Sequence, residues 1–97
     1  MIPVIVRYSA QPGYEDELET LVRRHWPTLH GESLTTDRPA VALKVHGKTG
    51  VFLEFFEWKS EEAVRSAHDR PAVRELWEAM EAIGTVEPWD GVYLRPS

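Results

Sequence analysis

Apolar and polar residues alternate along Val51–Trp58, which predicts a β-strand with two distinct faces. One face carries three aromatic side chains and one carboxylate, from Phe52, Glu54, Phe56 and Trp58. The other face carries Val51, Leu53 and Phe55. Because both faces are largely apolar, we expect both to be buried and the strand to lie centrally in a sheet. Glu54 is then an acid in apolar surroundings, which needs a partner or a function.

The first part of the chain predicts a strand followed by an amphipathic helix. The strand covers Pro3–Ser9, which is rich in β-branched residues and stops at a Gln-Pro-Gly turn. The helix has apolar positions three and four residues apart, at Leu18, Leu21, Val22, His25, Trp26 and Leu29. Pro27 lies within this stripe, so we expect the helix to kink or end near Trp26.

The second part predicts a hairpin, an interrupted helix and a last strand. Ala40–His46 forms the second strand and a Gly-Lys-Thr-Gly turn joins it to the third. Ser60 is a good N-cap for a helix that breaks at Asp69–Pro71, resumes with Pro71 in its first turn, and ends at Gly84. Gly91–Arg95 is expected to form a short fourth strand.

This order predicts an α+β fold, the ferredoxin-like βαββαβ arrangement with an antiparallel sheet and its helices on one face. The other face of the sheet is then bare and apolar, and a second copy is its simplest cover. We therefore expect residues 1–97 to form a single domain and a homodimer, in which two sheets face each other around a cavity as a dimeric α/β barrel.

Composition excludes several classes of function. The formal charge of −5 and the absence of a dense Lys or Arg run argue against nucleic acid and anionic membranes as partners. There is no cysteine for a thiolate site or a disulfide, and no apolar stretch long enough for a membrane span, so a cytoplasmic protein is expected. The spacing of His25, His30 and His46 does not favour a metal site, and none is predicted.

Four segments together resemble the antibiotic biosynthesis monooxygenase-like domains of the dimeric α/β-barrel superfamily. They are VIVRYSAQPG, EDELETLVRRHW, FLEFFEWKSEEAVRSAH and HDRPAV, and the resemblance covers nearly the whole chain. The resemblance implies the same fold and a homodimer. Its members include cofactor-free oxygenases, haem-degrading enzymes and domains without known activity, so the fold leaves the chemistry open.

The haem-degrading branch fits this chain poorly. Its members typically carry an Asn late in the first strand and a haem-ligating His on the second helix, together with a Trp at the position that His68 occupies here. This chain has Arg7 or a neighbour in the strand and Trp77 in the helix. The resemblance therefore favours oxygenation without metal, flavin or other cofactor, in an apolar pocket that binds and deprotonates its substrate.

Three residues are candidates for catalysis. Glu54 is expected to act as general base, although an acid on a sheet face is as often half of a structural ion pair. Arg7 lies on the neighbouring strand, and we expect it to pair with Glu54 on the face away from the helices, where the pair either binds an anion or only neutralises the carboxylate. His68 either relays protons or is satisfied by backbone carbonyls at a helix end.

Four aromatic residues are candidates for substrate binding: Phe52, Phe56, Trp58 and Trp77. Together with the catalytic candidates they predict a cofactor-independent monooxygenase of a small aromatic, quinol or polyketide-like substrate. The alternative is a non-catalytic module on the same fold that binds a small ligand or a partner. An enzyme requires a pocket reachable by substrate, whereas in a module Phe52, Phe56 and Trp58 can fill that space.

Overall fold

The computed structural model describes residues 1–88, which form a four-stranded antiparallel sheet and three helices. The elements in chain order are β1 (Ile2–Ala10), α1 (Glu15–Gly31), β2 (Val41–Lys44), β3 (Val51–Trp58), α2 (Glu61–Ala67), α3 (Pro71–Ile83) and β4 (Gly84–Pro88). The strand order across the sheet is β2-β3-β1-β4. This confirms the ferredoxin-like arrangement, with the second helical unit divided in two, and places β3 and β1 at the centre.

The pairing of β1 with β3 decides which side chains meet the helices. Val6 stands opposite Glu54, and Tyr8 stands opposite Phe52. Directly paired residues of antiparallel strands project from the same face. That face carries the core, which consists of one cluster around Tyr8, Leu18, Phe52 and Met80 and a second around Leu29, Phe56, Trp58 and Val73. Glu54 therefore points toward the helices.

The opposite face of the sheet is bare in the single chain. Val41, Leu43 and Phe55 share this face and are 55%, 48% and 37% exposed. The expectation that both faces of β3 are buried is therefore wrong for one chain alone, because all three helices pack on one side. The exposed apolar surface is the one that a second copy was expected to cover.

Helix α1 continues through Pro27 to Gly31, so of the two outcomes expected near Trp26, a kink or an end, the end is wrong. Proline removes one backbone donor from a helix. Leu29, two residues further on, is fully buried in the second core cluster. Packing of the last turn outweighs the missing hydrogen bond, as tertiary contacts commonly outweigh local propensity.

The interruption between α2 and α3 confirms the sequence prediction. The Ser60 side chain accepts a hydrogen bond from the backbone N–H of Ala63 at 3.1 Å and so caps α2. Helix α3 starts with Pro71, whose fixed φ suits a first helical position. Three residues separate the short α2 from the long α3, and both helices border the pocket described below.

Strand β4 was missed by the sequence analysis, which ended the helix at Gly84 and placed the last strand at Gly91–Arg95. The chain passes directly from α3 into β4 at Gly84, and β4 pairs along the outer edge of β1. An edge strand tolerates a proline such as Pro88. The expected strand Gly91–Arg95 lies outside the described residues.

Within residues 1–88, no helix has the length and apolar character needed to cross a membrane.

Gly84 is required by a close approach of two backbones. A Cβ at this position would overlap the carbonyl oxygen of Ser9 and stand 3.2 Å from the Cα of Ala10. We expect Gly84→Ala to lower the free energy of unfolding by about 1–3 kcal/mol, measured by urea denaturation. Gly31→Ala is the matched control, because a Cβ there meets no atom within 4 Å and alanine favours a helix. Equal stabilities of the two variants would contradict this packing.

Candidate functional site

A pocket of about 600 Å³ lies on the helix-covered face of the sheet, bordered by α2 and α3. This is within the range of small-molecule sites, roughly 300–1,000 Å³. Its wall includes six aromatic or imidazole rings, from Tyr8, His25, Phe56, Trp58, His68 and Trp77. Charged side chains, including Glu61, Arg65 and Glu81, also border it and are exposed. The pocket thus suits an aromatic molecule with few polar groups.

Two residues of β3 give the pocket its aromatic floor because they alternate onto the same face of the strand. Phe56 and Trp58 pack edge to face, with ring centroids 5.2 Å apart. Edge-to-face packing is a favoured arrangement of aromatic pairs. Both rings are at least nine-tenths buried, yet both border the cavity. They line the space rather than fill it.

Glu54 lies behind this wall and is only 1% exposed. Its Oε1 accepts a hydrogen bond from the Tyr8 hydroxyl at 2.6 Å, and the Nδ1 of His25 lies 2.8 Å from the same oxygen. The other ring nitrogen of His25, Nε2, accepts a hydrogen bond from the Trp77 indole N–H at 2.8 Å. One hydrogen-bonded chain therefore links the buried carboxylate to the pocket wall.

These contacts assign the tautomer of His25. An indole N–H can only donate, so Nε2 must be the unprotonated nitrogen. The proton of the neutral ring is then on Nδ1, from which it is donated to the Glu54 carboxylate. A carboxylate that orients an imidazole through Nδ1–H is the arrangement found behind general-base histidines. Phe56 holds the ring from the side, edge to face at 5.4 Å.

Tyr8 completes the network as a neutral donor. It is fully buried, and its hydroxyl also lies 3.2 Å from the Nδ1 of His25. Burial raises the pKa of Tyr8 far above its ordinary value, and the charge of Glu54 and the hydrogen bond to it act in the same direction. Tyr8 therefore keeps its proton and helps to stabilise the carboxylate without becoming charged.

His68 and Trp77 lie together in the pocket wall. Their ring centroids are 5.1 Å apart in an edge-to-face arrangement. His68 is the C-cap residue of α2 and is exposed, whereas Trp77 is half-buried on α3. His68 is therefore placed between the pocket and solvent.

No metal centre is formed by the described part of the chain, since residues 1–88 contain no cluster of three or more His, Asp or Glu able to hold an ion. His25 uses both ring nitrogens in the network. His30 instead forms an exposed pair with Asp37 at 2.9 Å, and this contact lowers the pKa of Asp37.

No family model and no curated protein matches this sequence. Solved structures match it over nearly the whole chain. A structure named as an antibiotic biosynthesis monooxygenase is 22% identical and superposes with a TM-score of 0.72, covering 95% of this chain and 99% of the other. SnoaB, a cofactor-independent oxygenase from Streptomyces nogalater, is 18% identical with a TM-score of 0.75, covering 98% and 92%. Rv0793 from Mycobacterium tuberculosis is 14% identical with a TM-score of 0.70, covering 97% of both chains.

The chain has the antibiotic biosynthesis monooxygenase-like fold. This confirms the fold that the four sequence segments implied. Identities of 22% or less establish the architecture and leave the chemistry to be argued from the residues of this chain.

Two expectations about the site of this monooxygenase-like fold need correction. Arg7 does not pair with Glu54: it stands opposite Leu53 on the bare face of the sheet, while Glu54 stands opposite Val6 on the helix-covered face. Side chains alternate between the two faces along each strand, and in this register Arg7 and Glu54 project from opposite faces, so the pairing of their strands does not bring them together. Phe52 is in the first core cluster beneath α1 and does not line the pocket.

The expected cavity between the two sheets of a dimer is also not where the site residues lie. Glu54, Phe56 and Trp58 all point toward the helices of their own chain, so the pocket that Phe56 and Trp58 border, with Glu54 behind its wall, is formed within one chain. His68 and Trp77 do line it, as proposed. Their roles in catalysis and binding, like those of Phe56 and Trp58, remain predictions.

Tyr8 and His25 are the site residues that the sequence analysis missed. His25 was assigned to the buried stripe of α1 and was then considered only as a metal ligand. The available signal was a pair of buried polar groups, an acid on a buried strand and an imidazole in an apolar helix stripe, which can satisfy each other. Tyr8 shares the helix-facing side of β1 with Val4 and Val6 and was not distinguished from them.

The raised pKa of Tyr8 predicts a loss of stability at alkaline pH. The folded chain holds the phenolic proton beyond the pKa of about 10 of an unfolded tyrosine, so the unfolded state releases it first. Above about pH 10, the free energy of unfolding should fall by up to about 1.4 kcal/mol per pH unit more in the wild type than in Tyr8→Phe. Urea denaturation at several alkaline pH values measures this difference. Parallel pH dependences would show that Tyr8 ionises normally in the folded chain.

Proposed function

We propose that this chain is a cofactor-independent monooxygenase that acts on a small aromatic substrate with an acidic hydroxyl or activated methylene group, such as a phenol, quinol or anthrone. The observation that carries the proposal is the carboxylate–imidazole pair of Glu54 and His25, set directly behind an aromatic pocket. An oriented imidazole can remove the substrate proton, and the aromatic wall can hold the ring beside it.

The chemistry needs only the substrate and dioxygen. For an anthrone-like substrate, transfer of a proton to His25 leaves an anion whose electrons are delocalised over the ring. This anion gives electrons to dioxygen and forms a carbon–oxygen bond. The peroxide anion that results takes up one proton, either the one held by His25 or, once that has passed to solvent, one from solvent, and the hydroperoxide then loses water to leave a ketone. The methylene carbon loses two hydrogens and gains one oxygen atom, and the second oxygen atom leaves as water. The protein supplies the base, the orientation and a site that excludes bulk water.

The geometry revises the role proposed for Glu54. The carboxylate is 1% exposed and lies behind His25 and Tyr8, so it acts through His25 rather than on the substrate. Glu54 fixes the ring with Nε2 as the proton-accepting nitrogen and stabilises the imidazolium that forms. Phe56 and Trp58 are proposed to hold the aromatic ring, and His68 to pass the proton toward solvent.

Similarity of fold supports the proposal without deciding it. SnoaB is a cofactor-independent oxygenase with the same architecture. The pocket of this chain can hold a molecule of a few fused rings, because about 600 Å³ is available. A cytoplasmic location remains a prediction.

The proposal predicts oxygen uptake by metal-free protein with a panel of hydroquinones and anthrones. Glu54→Gln should keep the shape of the site and lower kcat by about 10²–10⁴-fold with a smaller change in KM, because the oriented base is lost and the pocket is not. A fold-sensitive spectrum and the pH profile of kcat separate this effect from unfolding.

Glu57→Gln is the matched control, since Glu57 is on the same strand but on the other face, paired with Thr36 and Arg38. It should retain near wild-type turnover. Consumption of no compound in the panel, or equal rates in Glu54→Gln and the wild type, would reject the catalytic role.

A non-catalytic ligand-binding module is the second candidate, and one observation favours it. Tyr8, His25 and Glu54 are at least 97% buried and hydrogen-bonded to one another, as a purely structural network would be. Such a module would bind aromatic compounds in the pocket without consuming oxygen, so calorimetry alongside the oxygen electrode separates the two.

We also propose that the bare face of the sheet forms a homodimer interface. Its exposed apolar side chains include Val41, Leu43 and Phe55, with Ile5 and Leu53 between them. A contiguous apolar patch of this kind is normally covered. A second copy can cover it by symmetry, because the same patch meets itself.

Sedimentation at micromolar concentration should therefore give a mass near twice 11.1 kDa. Phe55→Lys should shift the protein to monomer, because it places a charge in the centre of the patch. Tyr14→Lys, at a residue 43% exposed outside the sheet, should leave the dimer intact. A wild-type protein that stays monomeric would refute the interface.

A further inference from the structure

The base required by the proposed function is hidden when Trp77 is in place. His25 is 3% exposed and Tyr8 is 0% exposed, although both border the pocket. The unprotonated nitrogen of an imidazole has a single lone pair, in the plane of the ring. Here that lone pair is used by the Trp77 indole N–H at 2.8 Å. In this arrangement no substrate atom can reach Nε2.

Trp77 differs from the rest of the network in ways that suit movement. Tyr8, His25 and Glu54 are core residues held by several hydrogen bonds among themselves. The Trp77 indole is half-buried, borders a cavity of about 600 Å³ and has one hydrogen bond, to His25. Displacing it costs one neutral hydrogen bond, which a ligand hydroxyl can replace, and some of its contacts with the two core clusters, which the rings of an aromatic ligand can replace. His68, which packs against its edge, is exposed and can shift with it.

We propose that Trp77 is a displaceable cap on His25, which the hydroxyl group of an aromatic ligand replaces. This inference rests on the proposed function and deepens it. The incoming O–H donates to Nε2 in place of the indole N–H. On proton transfer the O–H bond breaks, an N–H bond forms at Nε2, and the phenolate remains in the pocket. Glu54 keeps Nδ1–H throughout.

The cap makes a hydrogen-bond donor a condition for reaching the base. An aromatic ether or hydrocarbon of the same shape can occupy the pocket but cannot satisfy Nε2, so it leaves the Trp77 contact intact. If such a ligand displaced the indole, Nε2 of His25 would be left without a hydrogen-bond donor, and a buried polar atom left unpaired in this way discriminates strongly against the ligand. Trp77 thereby acts as a specificity-determining residue as well as part of the wall.

The test is the ¹⁵N–¹⁵N coupling across the hydrogen bond between Trp77 Nε1 and His25 Nε2, measured by NMR on labelled full-length protein. The free protein should show this coupling, and Trp77→Phe should remove it. Trp26→Phe is the control, because Trp26 stacks on His30 outside the pocket wall, and this variant should retain the coupling. Saturation with 2-naphthol should abolish the coupling, whereas 2-methoxynaphthalene, which lacks the donor, should leave it unchanged.

The outcomes separate the cap from the proposed function. A coupling that persists with 2-naphthol bound, or that is absent in the free protein, would overturn the cap and leave oxygenation to be explained by another base. Failure of both naphthalenes to bind up to their solubility limits would overturn the cap and the aromatic pocket together. Loss of the coupling with 2-naphthol, combined with no oxygen uptake by the wild type on any compound of the panel, would support the cap and reject the oxygenase.

Discussion

A carboxylate buried among aromatic rings is the constraint on which this site depends. Glu54 is 1% exposed, and an isolated charge at that depth would be strongly unfavourable. The chain satisfies it with two donors that share one carboxylate oxygen, the Tyr8 hydroxyl and the Nδ1–H of His25. That solution fixes the tautomer of His25 and directs its second nitrogen to Trp77 at the pocket wall. The contacts that satisfy the buried carboxylate therefore also orient the imidazole that we propose as the base.

The alternation along β3 was sufficient to predict which residues share a face, but not which face the helices cover. Glu54 was correctly grouped with Phe56 and Trp58, and its need for a partner was recognised. The prediction that Arg7 is its partner is wrong. In the observed pairing of β1 with β3, Arg7 projects from the opposite face of the sheet. Register depends on contacts between distant residues, so a period of two along one strand does not reveal it.

Two other differences have similar causes. Helix α1 includes Pro27 against the local preference of proline, because the burial of Leu29 stabilises the last turn. Strand β4 includes Pro88, because a proline is tolerated in an edge strand. His25 was visible as a polar residue within an apolar stripe, but its meaning required knowing that α1 packs across Glu54. The fold was thus predictable from local patterns, whereas the chemistry of the site depended on tertiary pairing.

The central claim is that the Glu54–His25 pair accepts a proton from an aromatic hydroxyl in the pocket, and the ionisation of a bound phenol tests it most directly. 4-Nitrophenol reports this by colour, because its phenolate is yellow and its neutral form is not. Titration of the protein at a pH where the free compound is mostly neutral should produce the yellow band as the compound binds, and Glu54→Gln should bind it with less colour. Bound 4-nitrophenol that remains neutral in the wild type would contradict the account.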